Sequence, residues 1–209
     1  MARSILAARK EGRKLKPLSN TRLFGAADAL KIQDALIDIR MASGEDLLGW
    51  ALIDGGHVAP VMTSDLVDDR TVMGIPSQSV DVRVEPVIVW KEETHIGLRA
   101  IDRLMPGALT EDLIASGHGL VTVALGDPVT PTVGLEIKTG RSSQPVLANV
   151  DQMREDLLGL LAARHRTVES SHLLISAALV PGAALERGKD SLLIVQAGGQ
   201  EARCSLRHL

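Results

Sequence analysis

Residues Val84-Glu85-Pro86-Val87-Ile88-Val89-Trp90 form an apolar run with a single carboxylate inside it. Its β-branched content and its length mark a strand rather than a helix, so the core of this chain is built on a sheet. In an extended strand residues i and i+2 share a face. A Glu-x-Glu pair here would aim two acids at one cation. Val87 stands at the second position, and Glu85 points there alone.

Further strand signals cover Trp50 to Ile53, Val82 to Trp90, Leu120 to Leu125, Thr132 to Ile137, His172 to Leu179, Ser191 to Gln196 and Ala202 to Leu206. Gly and Pro punctuate the gaps at Asp54-Gly55-Gly56, Gly126-Asp127-Pro128, Pro181-Gly182 and Gly198-Gly199. Helical periodicity runs from Ala26 to Met41, through Leu30, Ala35, Leu36, Ile37 and Ile39, with Gly44 as a stop. A second helix spans Asp151 to Arg166 on Met153, Leu157, Leu160 and Leu161, with Asp151 as its N-cap. A shorter one starts at Thr110 as N-cap and ends near Gly117. Helices gathered at the start and past the middle, with strands elsewhere, give an α+β chain rather than alternating βαβ units. The 209 residues suffice for one continuous globular unit, read as an N-terminal helical arm over 1–45 and a mixed β-rich domain over 46–209.

Composition excludes several classes of function. With one Phe, two Trp and no Tyr, the core is aliphatic and stacking platforms for bases are nearly absent. A net charge of −3 leaves no overall electrostatic footprint for nucleic acid. Arg3, Arg9, Lys10, Arg13, Lys14, Lys16 and Arg22 face only Glu11 near the N-terminus. That stretch reads as a targeting peptide, a membrane-surface helix, a nucleic-acid arm or, most simply, a solvated helix face. No apolar run reaches the roughly 18 residues of a membrane span, and a cytoplasmic protein is expected. The single cysteine, Cys204, excludes an internal disulfide and a cysteine zinc site, and reads as a small packed side chain. His57, His95, His118, His165 and His172 lack metal-ligand spacing, Ser170-Ser171-His172 lacks a nucleophile elbow, and no glycine run has a phosphate-binding pattern.

Several segments resemble, in order, the 2-keto-4-pentenoate hydratase and 4-oxalocrotonate decarboxylase family of the fumarylacetoacetate hydrolase superfamily. They are Ala7-Ala8-Arg9-Lys10-Glu11-Gly12, Lys16-Pro17-Leu18-Ser19, Ala27-Asp28-Ala29-Leu30-Lys31-Ile32-Gln33, Val61-Met62-Thr63-Ser64-Asp65-Leu66-Val67, the Glu85 strand, and Leu173-Leu174-Ile175-Ser176-Ala177-Ala178-Leu179-Val180-Pro181-Gly182. The resemblance implies a mixed β-sandwich or roll with N-terminal helices. It also implies a magnesium or manganese ion on three carboxylates, polarising a 2-oxo acid. Of those acids only Glu85 matches, as a remnant ligand. Val87 replaces the second and Gly126 falls on the third, while the family's lysine falls on Ala51 and its helix tyrosine on Leu30. The family's stretch between Asp127 and Thr132 is also missing. No cofactor is expected, and magnesium or manganese would enter only if Asp127 or Glu136 supplied the missing oxygens.

Two functions follow. The first is a divergent lyase, hydratase-like or decarboxylase-like, acting on a small 2-oxo or 2-hydroxydienoic acid through an altered or metal-independent site. Asp65, Glu85 and His95 would be its acid-base groups, although Asp65 beside Ser64 also reads as a turn or cap aspartate. The second is a non-catalytic member that binds a ligand or stabilises a partner enzyme. A self-associating chain, or one paired with a family partner, is implied in either case, with neither nucleic acid nor membrane as partner.

Overall fold

The computed structural model describes residues 1–11, 13–20, 24–53, 56–68, 72–73, 82–102, 105, 107–117, 120–130, 135–139, 142–146, 148–184, 190–197 and 200–208. The sequence readings at Asp54-Gly55, His118, residues 132–134 and Gly198-Gly199 lie outside them.

Helix α1 (Ala2–Glu11) leads through a 310 turn (Leu18–Asn20) to α2 (Ala26–Ala42). Strands β1 (Leu47–Ile53) and β2 (His57–Met62) follow, then a second 310 turn (Thr63–Asp65), β3 (Leu66–Asp68), β4 (Val72–Met73), β5 (Val82–Trp90) and β6 (Thr94–Asp102). Beyond these come α3 (Thr110–Ala115), β7 (Leu120–Pro128), β8 (Leu135–Thr139), β9 (Ser142–Val146) and α4 (Val150–Ala163). The chain ends with β10 (Leu173–Ile175), β11 (Ala183–Ala184), β12 (Asp190–Ala197) and β13 (Gln200–His208).

The strands make two mixed sheets. In the first the order is β2-β1-β10-β5-β6-β7-β3, with β11 also on β5, and in the second it is β4-β13-β12-β8-β9. The α+β roll that the sequence implied is therefore present. One face of the first sheet packs on the second sheet and α4, through Leu98, Ala100, Ala124, Leu135, Ile137, Leu157, Leu161, Ala202 and Cys204. Cys204 is the packed side chain expected, with its thiol donating to the Ala124 carbonyl at 3.5 Å. The other face gathers Ala51, Ile53, Val61, Val87, Val89, Leu120, Val123, Leu173 and Ile175. These residues come from distant strands of one sheet, so that sheet curls until its own face closes on itself.

The helices α1 and α2 pack against α3 through Ala2, Ile5, Ala8, Ala29, Ile32, Leu36, Ile114 and Ala115. In α2 the buried stripe is Ala29, Ile32, Gln33, Leu36 and Ile37, the i, i+3, i+4, i+7, i+8 pattern of one helical face. It is offset from the stripe read in the sequence, because Gln33 belongs to it and Met41 is 50% exposed. The Gln33 amide donates to the Val58 and Ile114 carbonyls, both at 3.1 Å, so a polar residue sits in the apolar stripe fully bonded. On the basic N-terminal stretch, Lys14 pairs with Asp102 at 2.6 Å and Arg9 donates to the Ser116 carbonyl. Those charges tie the first helical segment to the body of the fold.

Two capping assignments change. Leu109, not Thr110, is the N-cap of α3, and its backbone N–H is taken by the Asp112 carboxylate at 3.0 Å. For α4 the cap is Asn149, whose side chain accepts from the Gln152 N–H at 3.1 Å, while Asp151 lies in the first turn. Strand β10 is shorter than the run His172 to Leu179. Strands β2, β3, β4, β6, β9 and β11 lie outside the runs that the sequence marks as strands.

Candidate active site

Strand β5 is central, and Val84 to Trp90 are all buried. Pro86 lacks a backbone donor, so a ladder on that edge is interrupted there. The chain accommodates this by splitting the neighbour. Strand β10 ends at Ile175 beside Val89, and the chain returns as β11 with Ala183 beside Val84. Between them Ser176 replaces the ladder. Its N–H donates to the Ile88 carbonyl, and its hydroxyl accepts from the Ile88 N–H, both at 2.9 Å.

Strand β6 pairs with β5 on the opposite edge, placing Arg99 across from Glu85, Gly97 across from Val87 and His95 across from Val89. Cross-strand partners share a face, so Glu85 meets a guanidinium directly. Arg99 is completely buried and Glu85 is 7% exposed. Arg99 Nε donates to Glu85 Oε2 at 2.8 Å, and Nη2 lies 2.7 Å from the same oxygen. Nη1 donates to the carbonyls of Leu52 at 2.5 Å and Ser176 at 3.1 Å. The Nη2 contact with Glu85 is an ion pair out of line for a hydrogen bond, and Nη2 has no other partner among the described residues. Leu52 lies on β1, three strands from β6 in the sheet order, about 14 Å away if the sheet were flat. An arginine side chain bridges that gap because the sheet is curled.

The remaining walls are closed. A Cβ at Gly182 would stand 2.5 Å from Glu85 Cγ and 3.0 Å from the Val84 carbonyl oxygen, so the returning chain lies directly on the carboxylate and only glycine fits. Val87 and Ala51, where the resemblance places a second carboxylate and a lysine, are fully buried in the apolar cluster of the same face. On β7 that face carries Val123 and Leu125, which stand level with Arg99 and Gly97. Gly126 points the other way, and a Cβ there would meet the Arg203 carbonyl oxygen at 2.5 Å and Cys204 Cβ at 2.6 Å. The position read as the third carboxylate is therefore occupied by the second sheet.

The other sequence-derived candidates lie apart. Asp65 sits in the 310 turn before β3, 6% exposed. Arg40 donates to both its oxygens at 2.9 Å, and the Met62 N–H donates to Oδ2 at 2.9 Å. Arg40 also pairs with Glu45 at 2.6 Å and donates to the Ser64 hydroxyl. These hydrogen bonds from Arg40 hold the Glu45 carboxyl below its ordinary range against the opposing effect of burial. The next residue, Leu66, is level with Val123, then Arg99, then Glu85, so Asp65 is about three strand spacings, or 14 Å, from Glu85. His95 is four residues from Arg99 along β6, about 13 Å, and its Nδ1 donates to the Gly126 carbonyl at 3.0 Å. Glu85 and His95 share a sheet face but not hydrogen-bonding reach, and Asp65 joins neither.

The residues present do not fit a divalent ion. Asp127 is exposed and accepts from the Arg203 N–H at 2.9 Å, and Glu136 belongs to the second sheet. Among the described residues no group of three or more His, Cys, Asp or Glu side chains stands close enough to hold a metal. Beside Glu85 the positive charge is already supplied by Arg99.

The residue that the sequence reading missed is Arg99. Its signal was the three-residue polar turn Lys91-Glu92-Glu93, from which equal steps back along β5 and forward along β6 arrive at Glu85 and Arg99.

These features define a curled mixed sheet packed on a second sheet with N-terminal helices, the fold of the fumarylacetoacetate hydrolase type. Among solved structures the chain is similar over its whole length to 4-oxalocrotonate decarboxylase from Pseudomonas putida G7. With the complex of that enzyme with magnesium and adipate the TM-score is 0.84 at 13% identity, covering 100% of this chain and 95% of that one. The complex with calcium and acetate gives 0.82 at 14% identity, with the same coverage. Maleylpyruvate hydrolase from Sphingobium sp. SYK-6, in complex with manganese(II) and pyruvate, gives 0.51 at 12% identity, covering 76% of this chain and 69% of that one. At such identities the likeness shows the fold. No family model matches the sequence, and no curated protein matches it. No helix among the described residues is long and apolar enough to cross a membrane.

Proposed function

We propose that this chain is a catalytically silent form of the 4-oxalocrotonate decarboxylase fold, acting in the cytoplasm as a stabilising subunit, either of its own oligomer or of a catalytically complete chain of the same fold. One observation carries this reading. Glu85, which the resemblance makes the remnant of an ion site, is neutralised by a fully buried arginine and covered by Gly182. Asp65 is held by Arg40 and His95 by a carbonyl, so neither is free to move protons on a shared substrate.

The test is turnover of oxalocrotonate-type and 2-hydroxypentadienoate-type acids with and without magnesium or manganese, beside light scattering of the chain alone and co-expressed with a complete homologue. No turnover and a stable complex are expected. Turnover with a metal ion that Glu85→Ala abolishes would end the proposal.

A second reading, a metal-independent lyase on a small 2-oxo acid, draws on the out-of-line Arg99 Nη2. A buried N–H lacking a partner could be satisfied by an oxygen of an anionic substrate. In that case Glu85 is the acid-base group, since Asp65 and His95 stand too far from it to share a substrate atom. Turnover unaffected by chelator but lost in Glu85→Gln would favour it.

A further inference from the structure

We propose that the cleft between α2 and the segment joining α4 to β10 is a docking site for the basic face of α1 on a second copy of this chain. The proposal deepens the stabilising-subunit reading and rests on it only for the expectation that the chain assembles.

The cleft measures about 640 Å3 and has an apolar floor of Ile37, Leu47 and Trp50. Asp34, Asp38, Asp46 and Glu169 stand around that floor. Arg166 also lines it, but this cation is already committed, lying 5.0 Å from the centroid of the Trp50 ring and pairing with Asp34. Asp38, Asp46 and Glu169 have no ion-pair partner among the described residues. Unpaired carboxylates in a concave wall over an apolar floor focus a negative potential there and draw cations to it.

The rest of the chain supplies the complement. Helix α1 turns Ile5 and Ala8 into the fold and leaves Arg3, Ala7 and Lys10 exposed, the i, i+4, i+7 pattern of one helical face. Lys16, exposed as well, continues the positive line beyond the helix. Unlike Lys14, which pairs with Asp102, neither Arg3, Lys10 nor Lys16 has an ion-pair partner among the described residues. Arg3 and Lys10 stand two turns apart, about 10.5 Å, so they reach separate acids of the cleft. Between them Ala7 is small enough to let the helix come down on the apolar floor.

Helix α1 does not fill its own cleft. It packs with Ala29, Ile32 and Leu36 of α2, and Asp34 and Asp38 lie roughly 120° or more around the helix axis from those residues. The basic face and the acidic cleft are thus separate patches of one surface. A contact between them is head-to-tail, closing into a ring or running on as a filament.

The experiment is sedimentation velocity of the full chain over a micromolar-to-millimolar range. Oligomers are expected at about 0.1 M salt, with affinity at least tenfold weaker at about 1 M, where the screening length falls from about 10 Å to about 3 Å. Asp38→Lys/Asp46→Lys reverses the cleft and Arg3→Glu/Lys10→Glu reverses the helix, all four positions being exposed. Each double variant alone should associate at least tenfold more weakly than wild type at the lower salt. Mixed in equal amounts they should assemble again, because each reversed cleft then meets a reversed helix.

A wild type that stays monomeric at the lower salt, or whose oligomers ignore salt, would overturn the inference. So would variants that assemble like wild type, or a mixture that fails to regain assembly. Should a variant fail to fold, carbodiimide cross-linking of an equal mixture of isotopically light and heavy wild-type chains decides. Links from Lys10 or Lys16 of one chain to Asp38, Asp46 or Glu169 of the other support the contact, and their absence overturns it. Turnover by the wild type would end the proposed catalytic silence and leave this contact standing.

Discussion

Two arginine-carboxylate pairs fix the first sheet, and they differ in an instructive way. At the rim, Arg40 holds Asp65 with two parallel hydrogen bonds and reaches Glu45 and Ser64 as well. Inside the curl, Arg99 holds Glu85 through one oxygen, donates from Nη1 to the Leu52 and Ser176 carbonyls and leaves Nη2 out of line. The rim pair is a fork-to-fork junction between α2 and the turn before β3, with an arginine side chain 12% exposed where that of Arg99 is wholly buried. The inner pair is a charge placed where charge is expensive, supported by backbone that would otherwise complete a ladder. Geometry of the first kind joins elements, whereas geometry of the second kind buries a whole guanidinium inside the sheet.

Substitutions should separate the two, beginning with the largest effect. Arg99→Met should destabilise by about 3–5 kcal/mol, because it strands a buried carboxylate, and denaturant melts would measure it. Asp65→Asn should cost about 2 kcal/mol, the scale of hydrogen bonds to charged groups. Its loss should be smaller than that of Arg99→Met, and a costlier Asp65→Asn would erase the distinction drawn between the pairs.

A third carboxylate sharpens the comparison by lacking an arginine. Asp112, fully buried, accepts from the Ser19 N–H at 2.9 Å, the Ser19 hydroxyl at 2.6 Å and the Leu109 N–H at 3.0 Å. Burial pushes its carboxyl up, but these hydrogen bonds together outweigh burial and hold it below the ordinary aspartate value. A depressed folded value means the unfolded chain takes up the proton first as pH falls. The contribution of Asp112 is therefore full above the unfolded aspartate value of about 3.9 and is lost as pH drops through the folded one. Asp112→Asn should cost about 1–2 kcal/mol near neutral pH and flatten the acid limb of the stability curve. An unchanged limb would show that the Ser19 hydrogen bonds do not favour the ionised form. The smallest change belongs to Glu85→Gln/Arg99→Met, within about 1 kcal/mol of wild type, since both charges leave together.

What the sequence made legible follows the same divide. Strand β5 was readable because its burial leaves a continuous apolar run, and α2 because its stripe recurs at helical spacing. Strand β6 was hidden. Its inner face reads His95, Gly97, Arg99, two polar residues and a glycine, so the alternation that marks a strand is broken by the very arginine that defines the site. Strand β2 was obscured by Pro60 and its opening His57. Glu85 stood out as an acid within an apolar run, but its partner is a neighbour across the sheet rather than along the chain. Only a register set by the turn at Lys91-Glu92-Glu93 could have joined them. Gly126 shows the converse. Matched in sequence to a ligand position, it faces the second sheet, because Val123 and Leu125 stand level with Arg99 and Gly97 on the inner face and alternation turns Gly126 outward with Ala124.

The central claim is that Arg99 occupies the place of a cation at Glu85. Crystals of the wild-type chain grown with manganese, measured on the high-energy side of its absorption edge, test it in one map. The expected result is side-chain density for Arg99 against Glu85, with no anomalous peak within about 4 Å of the carboxylate, a bound Mn2+ standing closer than that to its oxygen ligands. An anomalous peak on Glu85, with the guanidinium swung away from Leu52 and Ser176, would contradict the account.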